Sequence, residues 1–335
     1  MTLGFVVGKF YPPHRGHKLL IDEARRQVDR LVVMIAHRPS QLIPGEVRAQ
    51  WLREIHPDVE VRLVADELED DTERWAAFTL AQLGRAPDVV FSSEDYGPKF
   101  ARLMGSKHVS VDPARTRISI SATKIRAAPP DHLDFLEPCV RAYFVKRVVL
   151  IGAESTGKTT LAEHLAAHFH TVWVPEYARG HWERKLAGRT VEDPPPSWTR
   201  EEFVEIAREQ QRSENVAART ANRVLFADTN AFATGTWFER YQNARDPEVD
   251  AIGAGDAVDL YLFAAPDAPF VQDGFRDGEK IRGWMDERFA TLLAAAGSPV
   301  VRIEGDHDAR WTKARVAVER LLANHGPLTS RSRPA

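Results

Sequence analysis

The sequence lacks several features that would each indicate a particular class of protein. It contains a single cysteine, Cys139, which cannot form an intrachain disulfide, and we assign this thiol no chemistry. No apolar run approaches the roughly 20 residues of a membrane span, and the N-terminal segment MTLGFVVGKF lacks the profile of a signal peptide. We therefore expect a cytoplasmic protein that does not associate with membranes.

The sequence also lacks an excess of charge of one sign. Its 45 basic and 48 acidic residues leave a formal net charge of −3. A general nucleic-acid or anionic-membrane surface needs a positive excess, so we expect neither partner. With 43% hydrophobic and 28% charged residues in a chain of 335, the composition is that of an ordinary globular protein with room for two domains.

The most specific motif lies in mid-chain, at residues 147–169. This stretch predicts a buried strand, a glycine-bounded loop and a helix, and the loop matches the pattern G-x-x-x-x-G-K-[ST] in the context that the pattern needs. Lys158 is expected on the β and γ phosphates of a nucleotide, and Thr159 is expected to ligate Mg²⁺ through its hydroxyl. The residues predicted to bind ATP here are Gly152, Glu154, Ser155, Thr156, Gly157, Lys158, Thr159 and Thr160.

The chain begins with another predicted strand, loop and helix, in which the loop is GKFYPPHRGH at residues 8–17. His14 and His17 lie three residues apart at the head of the predicted helix, so both can face one anion. Gly16 lets the backbone approach that anion closely. The phosphate contacts predicted in this loop are Gly8, Lys9, Phe10, His14, Gly16 and His17.

Strands and helices alternate along both halves, which predicts α/β architecture with two doubly wound parallel-sheet domains. The strand, phosphate loop and helix restart after residue 145, so we place the domain boundary there. The predicted domains are a nucleotidyltransferase Rossmann-like domain at 1–145 and a P-loop kinase domain at 146–325. The polar, proline-bearing tail at 326–335 is expected to be disordered.

In the segment ISATKIR, Ser121 can cap the helix that starts there, and Thr123 and Arg126 project from its first turns. Alone it would be typical of a solvated helix, but H-x-G-H followed about a hundred residues later by I-S-x-T-x-x-R resembles the nucleotidyltransferase superfamily of adenylyl- and cytidylyltransferases. That resemblance implies that His14 and His17 contact the phosphates of ATP and stabilise the transition state, while Ser121, Thr123 and Arg126 hold the β and γ phosphates. Adenylyl transfer requires no covalent step with the enzyme. Positioning of the reactants and neutralisation of the developing charge, completed by Mg²⁺, therefore do most of the catalysis.

Two acids follow predicted strands of the second half. Asp228 stands where P-loop enzymes hold Mg²⁺, although such an acid can also be a helix cap. Glu176 could accept the proton of an attacking hydroxyl. In the segment VQDGFRDGEKIR, Arg276 and Arg282 are candidates for a lid over the transferring phosphoryl group, the alternative being that they are only solvated.

The order of the motifs resembles the NadR family, in which ribosylnicotinamide kinase follows nicotinamide mononucleotide adenylyltransferase. The resemblance rests on GKFYPPHRGH, SSEDYG, VDPARTRISISATKIR, GAESTGKTT, EYAR, DTN and DGFR. It implies two Mg²⁺-dependent steps: ATP phosphorylates the 5′-hydroxyl of ribosylnicotinamide, and the resulting nicotinamide mononucleotide (NMN) is adenylated to NAD. The small-molecule partners would be ATP, ribosylnicotinamide, NMN and NAD, and the sequence also allows a homo-oligomer.

The residues that hold the acceptors are harder to predict. Arg48 and Trp51 lie in a segment similar to the adenylyltransferase half of the family, and Trp51 could either stack on a pyridinium ring or pack its helix against the sheet. Trp75, on a periodic helix, is expected in the core. For the kinase half the candidates are Tyr177 and Arg179 of EYAR, with Trp173, Trp182, Trp237 and Tyr241 as further aromatic residues that the sequence does not rank.

The sequence departs from the family pattern at two places. The first strand begins at residue 3 with no helix-turn-helix domain before it, so we do not expect a DNA-binding regulator. Asn230 stands where the family often has a second acid, which leaves open the group that completes the Mg²⁺ shell. One alternative is a fusion of a nucleotidyltransferase and a kinase that act on other acceptors. Another is an NAD-sensing regulatory protein in which one catalytic half is vestigial, and the intact phosphate motifs argue against it.

Overall fold

The computed structural model describes residues 1–68, 71–188, 197–271 and 278–323. The chain divides into two compact units, one comprising Met1–Arg141 and the other beginning at Ala142. Among the helices of the described ranges, none has the length and apolarity that a bilayer span requires. Arg276 and the C-terminal tail, for which the sequence predicts a lid residue and disorder, lie outside the described residues.

The first unit contains a five-stranded parallel sheet in the order β3-β2-β1-β4-β5. Its strands are β1 (Leu3–Gly8), β2 (Arg30–His37), β3 (Glu60–Ala65), β4 (Val89–Ser92) and β5 (Lys107–Ser110). Its helices are α1 (Arg15–Arg25), α2 (Gly45–Ile55), α3 (Thr72–Leu83), α4 (Gly97–Leu103) and α5 (Ala122–Ala127), and the division between the units falls within α6 (Pro138–Phe144).

Side chains of the central strands alternate between two cores. Val6 packs with Ile21 of α1 and Leu52 of α2 on one face, whereas Phe5 packs with Ala76 of α3 and Phe100 of α4 on the other. Helices therefore cover both faces, and the strand order reverses direction between β1 and β4. In open α/β sheets such a reversal places the ligand crevice beyond the carboxyl ends of the two strands.

The second unit repeats this plan with the strand order β10-β9-β6-β8-β7. The strands are β6 (Lys146–Ile151), β7 (Trp173–Val174), β8 (Val224–Asp228), β9 (Leu260–Ala264) and β10 (Val300–Ile303). The helices are α7 (Lys158–His168), α8 (Tyr177–Leu186), α9 (Arg200–Ala218), α10 (Ala231–Gln242), α11 (Pro247–Ala254), α12 (Arg282–Ala295) and α13 (His307–Ala323). Val148 and Val149 of the central strand face opposite cores, so this sheet is also covered on both sides.

The predicted fold class, two doubly wound parallel α/β sheets, is confirmed. Two helices have other bounds than the sequence pattern indicates. The pattern indicates a helix from about Lys18 to Val28, whereas α1 runs from Arg15 to Arg25, because His14 caps its start. The pattern also indicates a helix from Asp131 to Phe144, whereas α6 begins only at Pro138, after two short 3-10 turns, and proline fits the first position of a helix. Helices α8, α10, α11 and α12 are not predicted from the sequence.

Candidate active sites

The histidine loop runs directly from β1 into α1. His14 is the N-cap of the helix: its Nδ1 accepts the backbone N–H of Gly16 at 3.1 Å and that of His17 at 3.4 Å. In return, the Nδ1 of His17 accepts the backbone N–H of His14 at 3.3 Å. The two rings stack with centroids 3.8 Å apart, and the ring of Phe10 lies 4.9 Å from that of His17. The backbone thus fixes both imidazoles as one unit.

This arrangement determines the protonation of the histidine pair. Burial, with the charge of Arg115, lowers the pKa of His14 to about 4. Burial also lowers the pKa of His17 well below its usual value, and His14 and Arg115 add to the effect. Both rings are therefore neutral at pH 7, and since each Nδ1 accepts a hydrogen bond, each ring proton lies on Nε2. The pair presents two N–H donors to a ligand.

Helix α5 faces the histidine loop. Ser121 caps this helix by accepting the backbone N–H of Lys124 at 3.3 Å. The Nη1 of Arg126 donates to the carbonyl oxygen of Tyr11 at 2.5 Å, its Nη2 donates to the hydroxyl of Thr123 at 3.2 Å, and its guanidinium lies over the Tyr11 ring. The two motifs, about a hundred residues apart in sequence, are therefore in direct contact.

A cavity of about 760 Å³ lies between these two motifs. All the residues predicted for this ATP site line it: Gly8, Lys9, Phe10, His14, Gly16, His17, Ser121, Thr123 and Arg126. Other lining residues were not singled out from the sequence as ligands: Asp66, Thr72, Trp75, Tyr96, Asp112 and Arg115. Trp75 is expected in the core, and its ring does pack edge-on against Phe78, yet it also borders this cavity.

Arg48 and Trp51, for which the sequence predicts acceptor contacts, do not line the cavity. Trp51 is only 3% exposed, so the packing alternative describes it. Arg48 is fully buried, and its guanidinium donates to the carbonyl oxygen of Lys9 at 2.5 Å and to the side chain of Gln41 at 2.7 Å. Arg48 therefore supports the backbone of the histidine loop from behind.

In the second unit the loop between β6 and α7 has the geometry of a phosphate cradle. Gly152 (φ +148°), Ser155 (φ +56°) and Gly157 (φ +78°) adopt positive φ angles that turn the backbone around the loop. A Cβ atom at Gly152 would lie 2.6 Å from the carbonyl oxygen of Ala264, so only glycine fits there. The Nζ of Lys158 folds into the loop and donates to the carbonyl oxygen of Ala153 at 2.8 Å.

Acidic side chains approach the loop from two strand ends. The hydroxyl of Thr159 donates to Oδ2 of Asp228 at 2.5 Å, while Oδ1 of Asp228 is buried without a hydrogen-bond partner in the described part of the chain. Burial and the neighbouring Asp228 raise the pKa of Glu176 to about 7, against the opposing charges of Lys158 and Arg179. Burial raises the pKa of Asp228 as well. Both carboxyl groups therefore hold a proton more readily than an exposed carboxyl group does.

Several contacts hold the phosphate loop in place. Glu154 accepts hydrogen bonds from Arg240 at 3.2 Å and from the backbone of Gly278 at 2.8 Å. Arg282, a predicted lid residue, is the first residue of α12 and donates to the carbonyl oxygens of Ser155 and Ala268. It lies on the loop but does not line the cavity.

Arg310 of α13 is another support of the loop. It is 9% exposed and donates to the carbonyl oxygen of Thr156 at 2.8 Å and to that of Ala265 at 2.9 Å. It also pairs with Asp267. The sequence carries no local signal for this role, because Arg310 lies 154 residues from its partner in the loop.

A cavity of about 770 Å³ extends from the phosphate loop to a group of aromatic rings. Its polar end includes the loop from Glu154 to Thr160 together with Glu176, Arg179 and Asp228. Its apolar end is lined by Trp182, Trp198, Phe203, Trp237 and Tyr241, and the rings of Trp182 and Trp198 stack at 4.6 Å.

Three candidates from the sequence lie elsewhere. Tyr177, a predicted substrate contact, does not line the cavity, and its hydroxyl reaches Glu205 at 3.4 Å. Trp173 packs against the sheet core. Asn230 is fully buried, caps α10 and donates to Asp256 at 2.8 Å, so its side-chain amide is engaged by these partners. The part of the chain described contains no cluster of three or more acidic, histidine or cysteine side chains suited to a metal.

Comparison with known proteins agrees with this division. The family model described as cytidylyltransferase-like matches residues 5–128, and the one described as AAA domain matches residues 147–310. The trifunctional NAD biosynthesis/regulator protein NadR of Escherichia coli (strain K12) is 28% identical over 96% of this chain and 83% of that protein. The protein of the same name from Salmonella typhimurium (strain LT2) is 27% identical over 97% of this chain and 84% of that protein.

The chain is similar to NadR proteins over nearly all of its length.

Solved NadR structures show the same fold. The crystal structure of NadR protein in complex with NR has a TM-score of 0.77 and 23% identity, covering 96% of each chain. The crystal structure of NadR protein in complex with NAD and AMP-PNP has a TM-score of 0.74 and 22% identity, covering 100% of this chain and 98% of that chain. These likenesses extend over both units of the chain.

Proposed function

We propose that this protein, which is similar to NadR proteins, is a bifunctional enzyme of NAD synthesis. The second unit transfers the γ-phosphoryl group of ATP to the 5′-hydroxyl of ribosylnicotinamide, and the first unit transfers the adenylyl group of ATP to the NMN so formed. The observation that carries this proposal is that each unit has its own complete phosphate site at the mouth of its own cavity. A protein with one vestigial half would not need to keep both.

In the first unit, the phosphate of NMN attacks the α-phosphorus of ATP, and the bond to the β-phosphate breaks to release pyrophosphate. The Nε2–H groups of His14 and His17 donate to the phosphate oxygens as negative charge shifts toward the leaving group. Because both imidazoles are held rigidly by backbone N–H groups, they need no rearrangement when that charge develops. Arg126, together with Thr123, holds the β and γ phosphates from the opposite side of the cavity.

In the second unit, the inward-turned loop holds the polyphosphate, and Lys158 exchanges the Ala153 carbonyl for the β and γ phosphates. Glu176 accepts the proton of the attacking 5′-hydroxyl as the bond to the γ-phosphorus forms and ADP leaves. With a pKa of about 7, this carboxyl is a stronger base than an ordinary glutamate yet is half deprotonated at neutral pH.

The residues present fit Mg²⁺ as a cofactor of the kinase step. Oδ1 of Asp228 is a buried carboxylate oxygen without a hydrogen-bond partner among the described residues, and it lies beside the hydroxyl of Thr159. Oxygen ligands of this kind, few in number, are what Mg²⁺ takes from the protein when phosphates supply the rest. Bound there, the ion would neutralise charge on the β and γ phosphates.

The cavities supply surfaces for a flat cationic ring. In the second unit we assign the nicotinamide ring to the aromatic end formed by Trp182, Trp198, Trp237 and Tyr241, since a pyridinium ring is attracted to aromatic faces. In the first unit the same reasoning assigns it to Trp75 rather than to the buried Trp51.

The test is NAD formation from each acceptor supplied separately with MgATP. Ribosylnicotinamide should yield NAD with ADP and pyrophosphate, whereas NMN should yield NAD with pyrophosphate alone. Failure to convert NMN would refute the first half of the proposal, and failure to form NMN from ribosylnicotinamide would refute the second.

Two single substitutions should separate the steps. Lys158→Ala removes the positive charge that neutralises the transferred phosphoryl group. It should abolish NMN formation while leaving adenylyl transfer from supplied NMN intact. His17→Ala removes one N–H donor and should do the converse, with a loss of about 10²–10³-fold in the adenylyl rate. If either substitution silenced both steps in a folded protein, the assignment of one step to each unit would be wrong.

A further inference from the structure

Arg115 occupies a loop that the structure holds in one conformation. The carboxylate of Asp112 accepts the backbone N–H groups of Thr116, Arg117 and Ile118 at 2.9 to 3.2 Å. Asp112 and Arg115 both adopt positive φ angles, +47° and +53°, which side chains other than glycine adopt only when the surroundings require it. The loop therefore directs Arg115 to a defined place at the cavity of the first unit.

The guanidinium of Arg115 can exchange partners at small cost. Its Nη2 pairs with Oε1 of Glu94 at 3.1 Å, and the two side chains are 45% and 54% exposed. An ion pair so accessible to water contributes little free energy, so a doubly charged phosphate can displace the carboxylate.

The histidine pair needs a cation of this kind beside it. His14 and His17 are neutral and supply hydrogen-bond donors without a full charge. Lys9 is 3.8 Å from Asp66, and Arg126 faces the cavity from α5. Arg115 acts electrostatically on both imidazoles from the same cavity, so its charge can reach a phosphate that they contact.

We propose that Arg115 is a phosphate-binding residue of adenylyl transfer, whose guanidinium leaves Glu94 and contacts a phosphate of the bound reactants. This inference rests on the proposed adenylyltransferase function of the first unit. The ligand chemistry is a phosphate group, which belongs either to the pyrophosphate portion of ATP or to the acceptor NMN.

Arg117 provides a matched control in the same loop. It is 56% exposed and pairs with Oε1 of Glu23 at 3.1 Å, so its exposure and ion pair resemble those of Arg115. It does not line the cavity. Any effect of removing charge from the loop in general would appear equally in Arg117→Ala.

The experiment compares Arg115→Ala, Arg115→Lys and Arg117→Ala in the full chain by steady-state adenylyl transfer from MgATP to NMN. Arg115→Ala should lower kcat/KM by roughly tenfold to a hundredfold, as expected for a lost hydrogen bond to a charged group. Arg115→Lys, which keeps the charge, should recover part of the rate, and Arg117→Ala should stay within about twofold of the unsubstituted protein. The kinase step, which belongs to the other unit, should be unchanged in all three, and an unchanged melting profile reports that the first unit is folded.

The kinetic constants distinguish the source of the phosphate. A raised KM for ATP with weaker inhibition by pyrophosphate would assign Arg115 to the leaving group, whereas a raised KM for NMN alone would assign it to the acceptor; both support the proposal. Arg115→Ala behaving like Arg117→Ala would overturn it. If the unsubstituted protein formed no NAD from NMN, the proposed function would have failed, and calorimetric binding of pyrophosphate to the same variants would still test Arg115.

Discussion

The raised pKa of Glu176 makes the kinase step depend on pH in a range where ordinary glutamates do not titrate. Burial and the adjacent Asp228 disfavour the carboxylate form, and they outweigh the charges of Lys158 and Arg179. A general base acts only when it is deprotonated, so the rate must fall as the pH drops through this pKa. An ordinary glutamate, with a pKa of about 4.3, would give a flat rate across the same range.

The size of the effect follows from the value of about 7 for Glu176. One carboxylate with that pKa is roughly nine-tenths ionised at about pH 8, one-half at about pH 7 and one-tenth at about pH 6. The kcat/KM for ribosylnicotinamide should therefore fall about tenfold between the first and the last of these conditions. Glu176→Gln should lower the rate by about 10²–10⁴-fold and flatten what remains.

The adenylyltransferase unit supplies an internal control for this measurement. Its histidines have pKa values far below neutrality, about 4 for His14, so they stay neutral from about pH 6 to about pH 8. NAD formation from supplied NMN should then be nearly flat while NMN formation varies. The assay is the initial rate of each step at saturating MgATP, taken from the same protein sample across the range.

Two outcomes would refute the reasoning. A kinase profile that stays flat while chemistry limits the rate would show that no group with a pKa near 7 has to lose its proton. A Glu176→Gln variant that kept the full acid limb would assign the titration to the partner carboxyl of Asp228 or to another group, and Glu176 would then be only the N-cap of α8.

Two further substitutions test contacts that the structure adds. Trp75→Ala removes an aromatic face of the cavity, so it should raise the KM for NMN about tenfold with little change in the KM for ATP. Trp75→Phe should restore part of the NMN binding. Equal changes in both KM values would contradict the assignment of Trp75 to the nicotinamide ring. The buried amide of Gln210 accepts the Tyr177 N–H and donates to the Thr229 carbonyl. Gln210→Leu leaves both groups unpaired, at a cost of about 1–3 kcal/mol each, so it should lower the melting temperature and slow the kinase step. Unchanged kinetics would show that these hydrogen bonds stabilise the fold without affecting the reaction.

The parts of the sites that could be predicted from the sequence are local. A phosphate loop needs its glycines, lysine and threonine within eight consecutive positions, and the histidine loop needs its two imidazoles on adjacent faces of one helix turn. Such spacing is visible in the chain itself. The alternation of strands and helices, which predicts the parallel sheets, is visible in the same way.

The remaining contacts could not be predicted because they join segments far apart in the chain. Arg48 and Trp51 lie on a helix next to the histidine loop, but only the packing of that helix decides that both side chains are buried. Trp75 has the same sequence signal as a core residue, and only the packing of its helix places it at the cavity of the first unit. Helix α8 has no buried residues, so it leaves no apolar periodicity to detect.

Acidification should affect the two units differently, because one acts through buried histidines and the other through buried carboxyl groups. This difference determines which unit limits NAD synthesis at low pH. Burial keeps the histidines of the first unit uncharged, so that unit loses activity only in strongly acidic solution. Burial raises the pKa of Glu176 in the second unit to about 7, so that unit should lose activity as the pH falls below neutrality. Because the kinase supplies the substrate of the adenylyltransferase, mild acidification should slow NAD synthesis from ribosylnicotinamide without accumulation of NMN. Accumulation of NMN under those conditions would mean that the histidine pair, and not the acid pair, limits the sequence of reactions.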